Sequence, residues 1–419
     1  MAEKLTPTKK PRILVICQHF WPESFKINDI CDYFVENNCD VEVLCGIPNY
    51  PKGSFNEGYG YFTNRRETHN GIKIRRAFEV PRGDNSNFRI LVNYLSFPFF
   101  SLFHLPRLLF NKYDKIYLYQ LSPVYMSVAG ILLGKLKKIE TTMYVLDLWP
   151  ENLYSVLDIR NKFLRNILES TSHWHYRNVD KIITISEKMK KMLQDISNLP
   201  ENDIIFIPQH GEKVYEKVEH DDMLEKRFSK GFNIVFAGNI SPAQSFETIL
   251  GAAKLVKEAG IRDINWIIVG DGMSRKWLEG EVTKAKLNDC FYFEGFKPMT
   301  EMPKYQTMAD ALVACLVKSP LLDCTIPAKV TSYLASGKPI LLAMDGEAQD
   351  LVNNNNCGYA GPAEDSTALA ENVIKLYESN PADRSKMGEN SKRIYFEKFE
   401  RSVNLKKLYN FIFIKRKAK

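Results

Sequence analysis

Short apolar runs alternate with longer amphipathic stretches along nearly the whole chain. In the first half the runs lie near residues 12–18, 41–45, 72–79, 115–120, 141–147, 180–185 and 203–208. A continuous apolar run bounded by turn residues reads as a strand buried on both faces, and its alternation with helices predicts a covered parallel sheet. The segment Glu212–Lys230 is charged and poor in apolar residues, which makes it the linker candidate. A second alternation follows: a strand and glycine turn in FNIVFAGNIS, a helix over Phe246–Ala259, the same strand and turn in WIIVGDGMS, then strands at Cys290–Phe296, Ala311–Val317 and Pro339–Met344. The pattern predicts an α/β protein of two doubly wound, Rossmann-like domains facing a cleft. Their expected spans are 1–211 and 212–395, followed by a helix over 396–419. That last stretch is apolar on one face and basic on the other and reads as a packing helix.

In the first half, each strand delivers a polar, proline-marked loop. RILVICQ runs into HFWPESFKIND, VEVLCG into IPNYPKG, KIYLYQ into LSPVY, and MYVL into DLWPE. The last of these places Asp147, Trp149 and Glu151 at the carboxyl end of a strand, the edge at which open α/β sheets bind ligands. Four such loops in succession point to a site, because connecting loops are ordinarily short and bland.

Phe88–Phe110 is the one membrane candidate. Asn93, Ser96, Pro98, Ser101, His104, Pro106 and Arg107 interrupt it, so it is read as a helical hairpin or broken helix, not a span of about 20 apolar residues. Its aromatic and leucine content suits either core packing or a lipid interface. The chain has 419 residues, enough for two domains, and Lys plus Arg exceed Asp plus Glu by 57 to 50. That mild excess fits an anionic ligand or membrane surface. With dispersed basic residues and no accompanying aromatic motif, nucleic acid is excluded as a partner. Eight cysteines without CxxC spacing read as free thiols in a reducing cytosol, and no cleavable signal is evident.

The second half carries an anion-binding pattern. Gly238 and the Gly270–Asp271–Gly272 turn permit close backbone approach to a ligand, although neither completes a GxGxxG or Walker motif. In TIPAKVTSYLASGKPILLA, Thr325 is read as a cap and Pro327 as a first-turn residue of a helix ending at Gly337. Lys329 in that first turn opposes the helix dipole unless an anion lies above it.

With these pieces placed, the whole chain resembles the family 4 glycosyltransferases with the GT-B fold. More narrowly, it resembles bacterial O-antigen and capsule transferases of the WbuB type, associated with N-acetyl-L-fucosamine transfer. The carriers are HFWPE with FKIND, PNYPKG, NYLSF, QLSPV, DLWPE, AGNIS with Gln244, VGDG, EGF, and TIPAK with SYLASGKP. The resemblance implies a UDP-sugar donor held by the second domain, through Gly238, Asn239, Gln244, Gly270, Asp271, Phe296, Thr325, Ile326, Pro327, Ala328 and Glu347. It implies an undecaprenyl-diphosphate-linked sugar acceptor held by the first, through His19, Glu23, Asn49, Tyr50, Lys52 and Ser122. The closing helix is expected to cross back to the first domain. The enzyme would act at the cytoplasmic face of the inner membrane, peripherally bound.

Several positions depart from the family pattern. Asn239 and Gln244 stand where many members carry an Arg and a Lys, and the two glutamates seven residues apart fall on Cys324 and Ser332. Lys329 is expected to supply the missing positive charge, and Glu347 is the candidate for the lost acidic contact. Leu146 replaces a histidine that precedes the loop aspartate in relatives, which is consistent with a 6-deoxy donor. No DxD motif is present, so no metal and no cofactor are expected, the UDP-sugar being a substrate. Asp147, Glu151 and Lys329 are the catalytic candidates: the carboxylates toward the acceptor hydroxyl, the lysine toward the leaving diphosphate. Family precedent is retention at the anomeric carbon. A UDP-sugar 2-epimerase and an inactive nucleotide-sugar-binding subunit are the alternatives.

Overall fold

A computed structural model describes residues 10–83, 86–156 and 161–414. Two compact units emerge: residues up to Ile207 together with those from Leu405 onward, and Pro208–Asn404. The divisions fall at 207/208 and 404/405, where 211/212 and 395/396 were expected.

The first unit is built on an eight-stranded sheet. Its strands are β1 (Arg12–Ile16), β2 (Asp40–Cys45), β3 (Arg66–His69), β4 (Ile72–Arg76), β5 (Lys115–Gln120), β6 (Thr141–Val145), β7 (Lys181–Thr184) and β8 (Ile204–Phe206), in the order β3-β4-β2-β1-β5-β6-β7-β8. Every pairing is parallel except the β3–β4 hairpin. Ile13 and Val15 of β1 pack toward the helix Lys26–Glu36 and toward Leu405, Leu408, Phe411 and Ile412 of the C-terminal helix Arg401–Phe413. The closing helix therefore joins the first unit's core, as expected. On the other face Gly130 lies close above Ile16 and Leu118: a Cβ there would fall 2.4 Å from Leu118, so only glycine lets the helix Val128–Lys137 seat.

The second unit holds β9 (Phe232–Ala237), β10 (Ile264–Val269), β11 (Phe291–Gly295), β12 (Ala311–Cys315), β13 (Ile340–Ala343) and β14 (Gly358–Gly361), in the order β11-β10-β9-β12-β13-β14. All its pairings are parallel. In both sheets the winding direction reverses beside the first strand, between β1 and β5 and between β9 and β12. Those reversals open crevices at the strands' carboxyl ends.

Three expectations need correction. The segment Glu212–Lys230 is not a free linker: it contains the helix Asp222–Arg227, and Tyr215, Leu224 and the buried Phe228 pack into the second unit's core. β3 and β14 lie at sheet edges and were not expected as strands. Thr325 does not cap the helix, which runs Ala328–Ser336 with Pro327 at its N-cap; the Thr325 hydroxyl instead donates to the Leu322 carbonyl. The interrupted segment forms the helices Asn87–Leu102 and Leu105–Phe110. Among the described residues no helix is long and apolar enough to cross a membrane.

Candidate functional site

At the carboxyl edge of the first sheet, the loop after β1 is organised around Glu23. One of its oxygens accepts the backbone N–H groups of Asn49 and Tyr50, both at 2.7 Å, and the other lies 2.8 Å from His19 Nδ1. The His19 ring stacks on Phe25 at 4.9 Å. A single buried carboxylate thus ties the loop after β1 to the loop after β2. Glu23, Tyr50 and Lys52 line an open hollow of about 670 Å³.

The loops after β5 and β6 are joined in the same manner. Ser122 donates both its N–H and its hydroxyl to Asp147 Oδ2, at 2.9 and 2.8 Å. The Ser122 hydroxyl accepts in turn from the Trp149 indole at 2.9 Å and from the Asn152 amide at 2.7 Å. Asp147 therefore positions the DLWPE loop. Its carboxyl sits above the usual range because burial outweighs the Ser122 hydrogen bonds. Glu151 opens the helix Glu151–Val156, and its Oε2 is buried with no hydrogen-bond partner. Burial raises its pKa, opposed first by a hydrogen bond from its own backbone N–H and then by His173, with Glu169 adding to the rise.

Beneath the loop after β1 lies a group that sequence reasoning missed. Glu79 is fully buried, and its Oε1 accepts from Gln18 and from Asn93, both at 2.7 Å, while its Oε2 has no partner. Gly46 makes room for it: a Cβ there would stand 1.7 Å from Glu79 Oε2. The available signal was a polar residue at the end of one apolar run and another, Asn93, inside a second. Burial pushes the Glu79 carboxyl up to about 7 from 4.5. The folded state consequently holds more proton than the unfolded chain between those values, so stability falls as pH rises from 4.5 to 7, by roughly 3 kcal/mol in all. Glu79→Gln is expected to flatten that slope. Urea unfolding of parent and variant at pH 5 and pH 8 checks it, and equal slopes would refute it.

In the second unit, the reversal between β9 and β12 is occupied by the start of the helix Ala328–Ser336. The Tyr333 hydroxyl fixes this helix across both strands, accepting the Ala237 N–H at 3.0 Å and donating to the Val313 carbonyl at 3.2 Å. Lys329 is thereby held over Gly238: a Cβ at that glycine, whose φ is +147°, would meet Lys329 Cε at 3.0 Å. The Lys329 ammonium donates to Gln244 Oε1 and lies 3.6 Å from the centroid of the Phe236 ring. Neither partner carries a charge, and burial lowers the Lys329 pKa to about 7. No side chain caps the helix start. The helix start thus brings together a buried lysine, N–H groups that no side chain caps and a glycine turn, a combination suited to an anion.

The remaining positions surround this centre unequally. Gly270 backs onto the Gly238 carbonyl, and Gly272 approaches Asn239, so the two glycine turns are in contact. Asp271 accepts from the Gly272 N–H and pairs with Arg275 at 3.2 Å. Gly346 abuts the Asp323 carbonyl, which brings the loop bearing Glu347 against the residues preceding Thr325 and Ile326. Phe296 is exposed beyond β11. Cys324 and Ser332, at the places of the family glutamates, are buried and donate to the carbonyls of Pro320 and Lys329. Among the described residues no group of three His, Cys, Asp or Glu side chains is placed to hold a metal ion.

Two Rossmann-like units, each built on a largely parallel α/β sheet with a reversal crevice, have the GT-B class of fold. The solved UDP complex of Anabaena Alr3699/HepE superposes with a TM-score of 0.69, at 14% identity, over 96% of this chain and 99% of that one. Residues 221–394, most of the second unit, match the family model described as Glycosyl transferases group 1. The chain is 26% identical over 221 residues to the 2-deoxystreptamine glucosyltransferase of Streptomyces kanamyceticus, covering 48% of this chain and 56% of that protein. It is 23% identical over 260 residues to the amylovoran biosynthesis glycosyltransferase AmsK of Erwinia amylovora, covering 60% of each. The chain thus matches under two thirds of the length of either relative.

Proposed function

We propose that the protein is a UDP-sugar-dependent glycosyltransferase. In this reading it moves an N-acetylated 6-deoxyhexosamine, N-acetyl-L-fucosamine, onto a sugar carried by a lipid diphosphate, in O-antigen or capsule synthesis at the inner face of the cell membrane. The observation that carries the reading is Lys329, a buried lysine without a counter-ion held over Gly238 at a helix start. The UDP complex of the structural neighbour and the amylovoran biosynthesis role in the name of AmsK support it.

The reaction forms a bond between an acceptor oxygen and the anomeric carbon and breaks that carbon's bond to the diphosphate oxygen. Negative charge accumulates on UDP, where protonated Lys329 and the N–H groups of Ala328 and Lys329 meet it. Glu151, whose unpartnered oxygen and raised pKa suit proton transfer, takes the acceptor hydroxyl's proton. Asp147 orients the loop through Ser122. The pocket of His19, Glu23, Asn49 and Tyr50 receives the acceptor sugar.

Thermal unfolding with UDP, UDP-N-acetyl-L-fucosamine, UDP-N-acetylglucosamine, GDP or NAD tests the reading. A ligand at about 100 times its dissociation constant stabilises by roughly 2.7 kcal/mol, a shift of several degrees. Selective stabilisation by the UDP ligands is expected, with donor turnover only when acceptor is added. Turnover without acceptor would replace the transferase by an epimerase, and the absence of any UDP response would remove the nucleotide assignment. Equal turnover of UDP-glucose and the 6-deoxy donor would discard the donor assignment alone.

A further inference from the structure

The helix Asn87–Leu102 is amphipathic in the inverted sense. Three of its polar side chains point inward: Asn93, Ser96 and Ser101 are buried, Asn93 donating to Glu79 and to the Val80 carbonyl, and Ser96 accepting the Val80 N–H. Phe97 is buried as well, but four of the helix's large apolar positions face outward. Phe88, Leu91, Leu95 and Phe99, continued by Phe103, form one exposed stripe at helical spacing. A helix on a water-facing surface has the reverse arrangement.

The stripe belongs to a larger one-sided pattern. The helix Leu105–Phe110 adds Leu109 and Phe110, the latter 90% exposed, and the loop before β3 adds Phe62 at 93%. Leu136 closes the adjoining helix Val128–Lys137, and Phe163, Leu164, Ile167 and Trp174 line the helix Lys162–Arg177. Among the described residues, every exposed large apolar side chain of the first unit except Trp21, Tyr50 and Ile414 lies on these helices or in the 61–62 loop.

Charge identifies what covers this face. No acidic residue occurs from Ser86 to Tyr113 or from Val124 to Ile139, whereas Arg89, Arg107, Lys112, Lys135, Lys137 and Lys138 fall within those segments. Beside the phenylalanines is a hollow of about 320 Å³ lined by Phe62, Phe78, Arg65, Arg66, Arg75 and Arg107. Glu42 pairs with both Arg75 and Arg107, the buried Arg76 pairs with Glu67, Arg65 donates to the carbonyls of Arg76 and Tyr61, and Arg107 Nη1 is buried without a partner. Next to them His104 is held down to about 4 by burial and by the surrounding arginines. Such a site takes a phosphate group at the foot of an aromatic shelf.

We propose that this face docks on an anionic phospholipid bilayer, with Phe62, Phe99, Phe103 and Phe110 entering the interface and Arg65, Arg66, Arg75 and Arg107 receiving lipid headgroup phosphates. Exposed aromatics supply interfacial burial, and basic residues near an anionic surface add an attraction that salt screens. The inference deepens the proposed membrane-side acceptor, yet vesicle binding requires no nucleotide. Its failure and that of the donor assignment are therefore separable.

The test is co-sedimentation of the full chain, without nucleotide, with vesicles of equimolar phosphatidylglycerol and phosphatidylethanolamine and with pure phosphatidylcholine vesicles. Binding to the anionic vesicles, weakened by salt, is expected. The exposed double substitution Phe103→Ser/Phe110→Ser and the single substitution Arg66→Glu should each lower it by tenfold or more, at an unchanged melting temperature, since a few kcal/mol of interfacial energy is lost. Equal binding to phosphatidylcholine, or variants that sediment like the parent, would overturn the proposal. So would a parent that dimerises through this face in solution, dissociates on Phe103→Ser/Phe110→Ser and binds neither vesicle.

Discussion

Replacing Lys329 with methionine is expected to weaken UDP binding about a hundredfold or more while stabilising the nucleotide-free protein. The two effects have one cause. In the free protein the ammonium is buried against Phe236 and Gln244 without an anion, so the charged form is disfavoured and the group titrates near 7. Methionine keeps much of the packing and removes that cost, a gain of about 1 to 3 kcal/mol by analogy with other buried charges. In the complex the ammonium would face the diphosphate, and truncating one member of a buried charge pair costs roughly 2 to 5 kcal/mol. A melting temperature that rises without ligand and no longer responds to UDP separates this role from a merely structural one.

The same lysine sets a pH dependence of binding. A diphosphate favours the protonated form, so the complex takes up a proton wherever free Lys329 is neutral. Affinity should therefore fall by about tenfold per pH unit above 7, until the higher pKa of the bound lysine is reached. On the acid side the terminal phosphate protonates near 6, which places the optimum at about pH 6 to 7. Calorimetry at pH 8 in buffers of different ionisation enthalpy should register an uptake approaching one proton. Equal affinity at pH 6.5 and 8.5 with no proton uptake would remove Lys329 from the phosphate site.

The parts of this architecture readable in the sequence were those with continuous burial. β1, β2, β5, β6, β9, β10 and β12 are buried along nearly their whole length, and apolar runs announce them. β3 is RETH at a sheet edge, half-exposed and charged, with no apolar run to mark it. Its hairpin was nevertheless written in Asn70–Gly71, both at positive φ, the signature of a two-residue turn. β14, GYAG, is an edge strand too glycine-rich to read as one. The charged segment at 212–230 misled because its few apolar residues, Tyr215, Leu224 and Phe228, are the ones that pack.

The candidate site was legible where a loop is locally encoded and opaque where partners are distant in sequence. The proline-marked loops and the TIPAK helix start could be read from neighbouring residues. Gln18, Glu79 and Asn93 are separated by 61, 75 and 14 positions, and only the register of β1, β2 and β4 together with the seating of the helix Asn87–Leu102 brings them together. Nor did spacing reveal that Asp147 is engaged by Ser122 while Glu151 retains a buried, unpartnered oxygen. That difference divides two carboxylates which sequence alone treated alike.

Their division gives the second large expected effect. Glu151→Gln should lower kcat by about 10² to 10⁴, the usual worth of a general base, while UDP still stabilises the protein as it does the parent. Asp147→Asn should act differently. Its amide retains an oxygen to accept from Ser122 but loses the charge that draws both donors, so the loop loosens, acceptor KM rises and kcat falls less. A pH–rate profile distinguishes the two: the limb that rises with pH through the raised pKa of Glu151 should disappear in Glu151→Gln and persist in Asp147→Asn. If instead Asp147→Asn abolishes that limb and Glu151→Gln leaves it in place, the base is Asp147 and Ser122 serves to hold its carboxylate toward the acceptor.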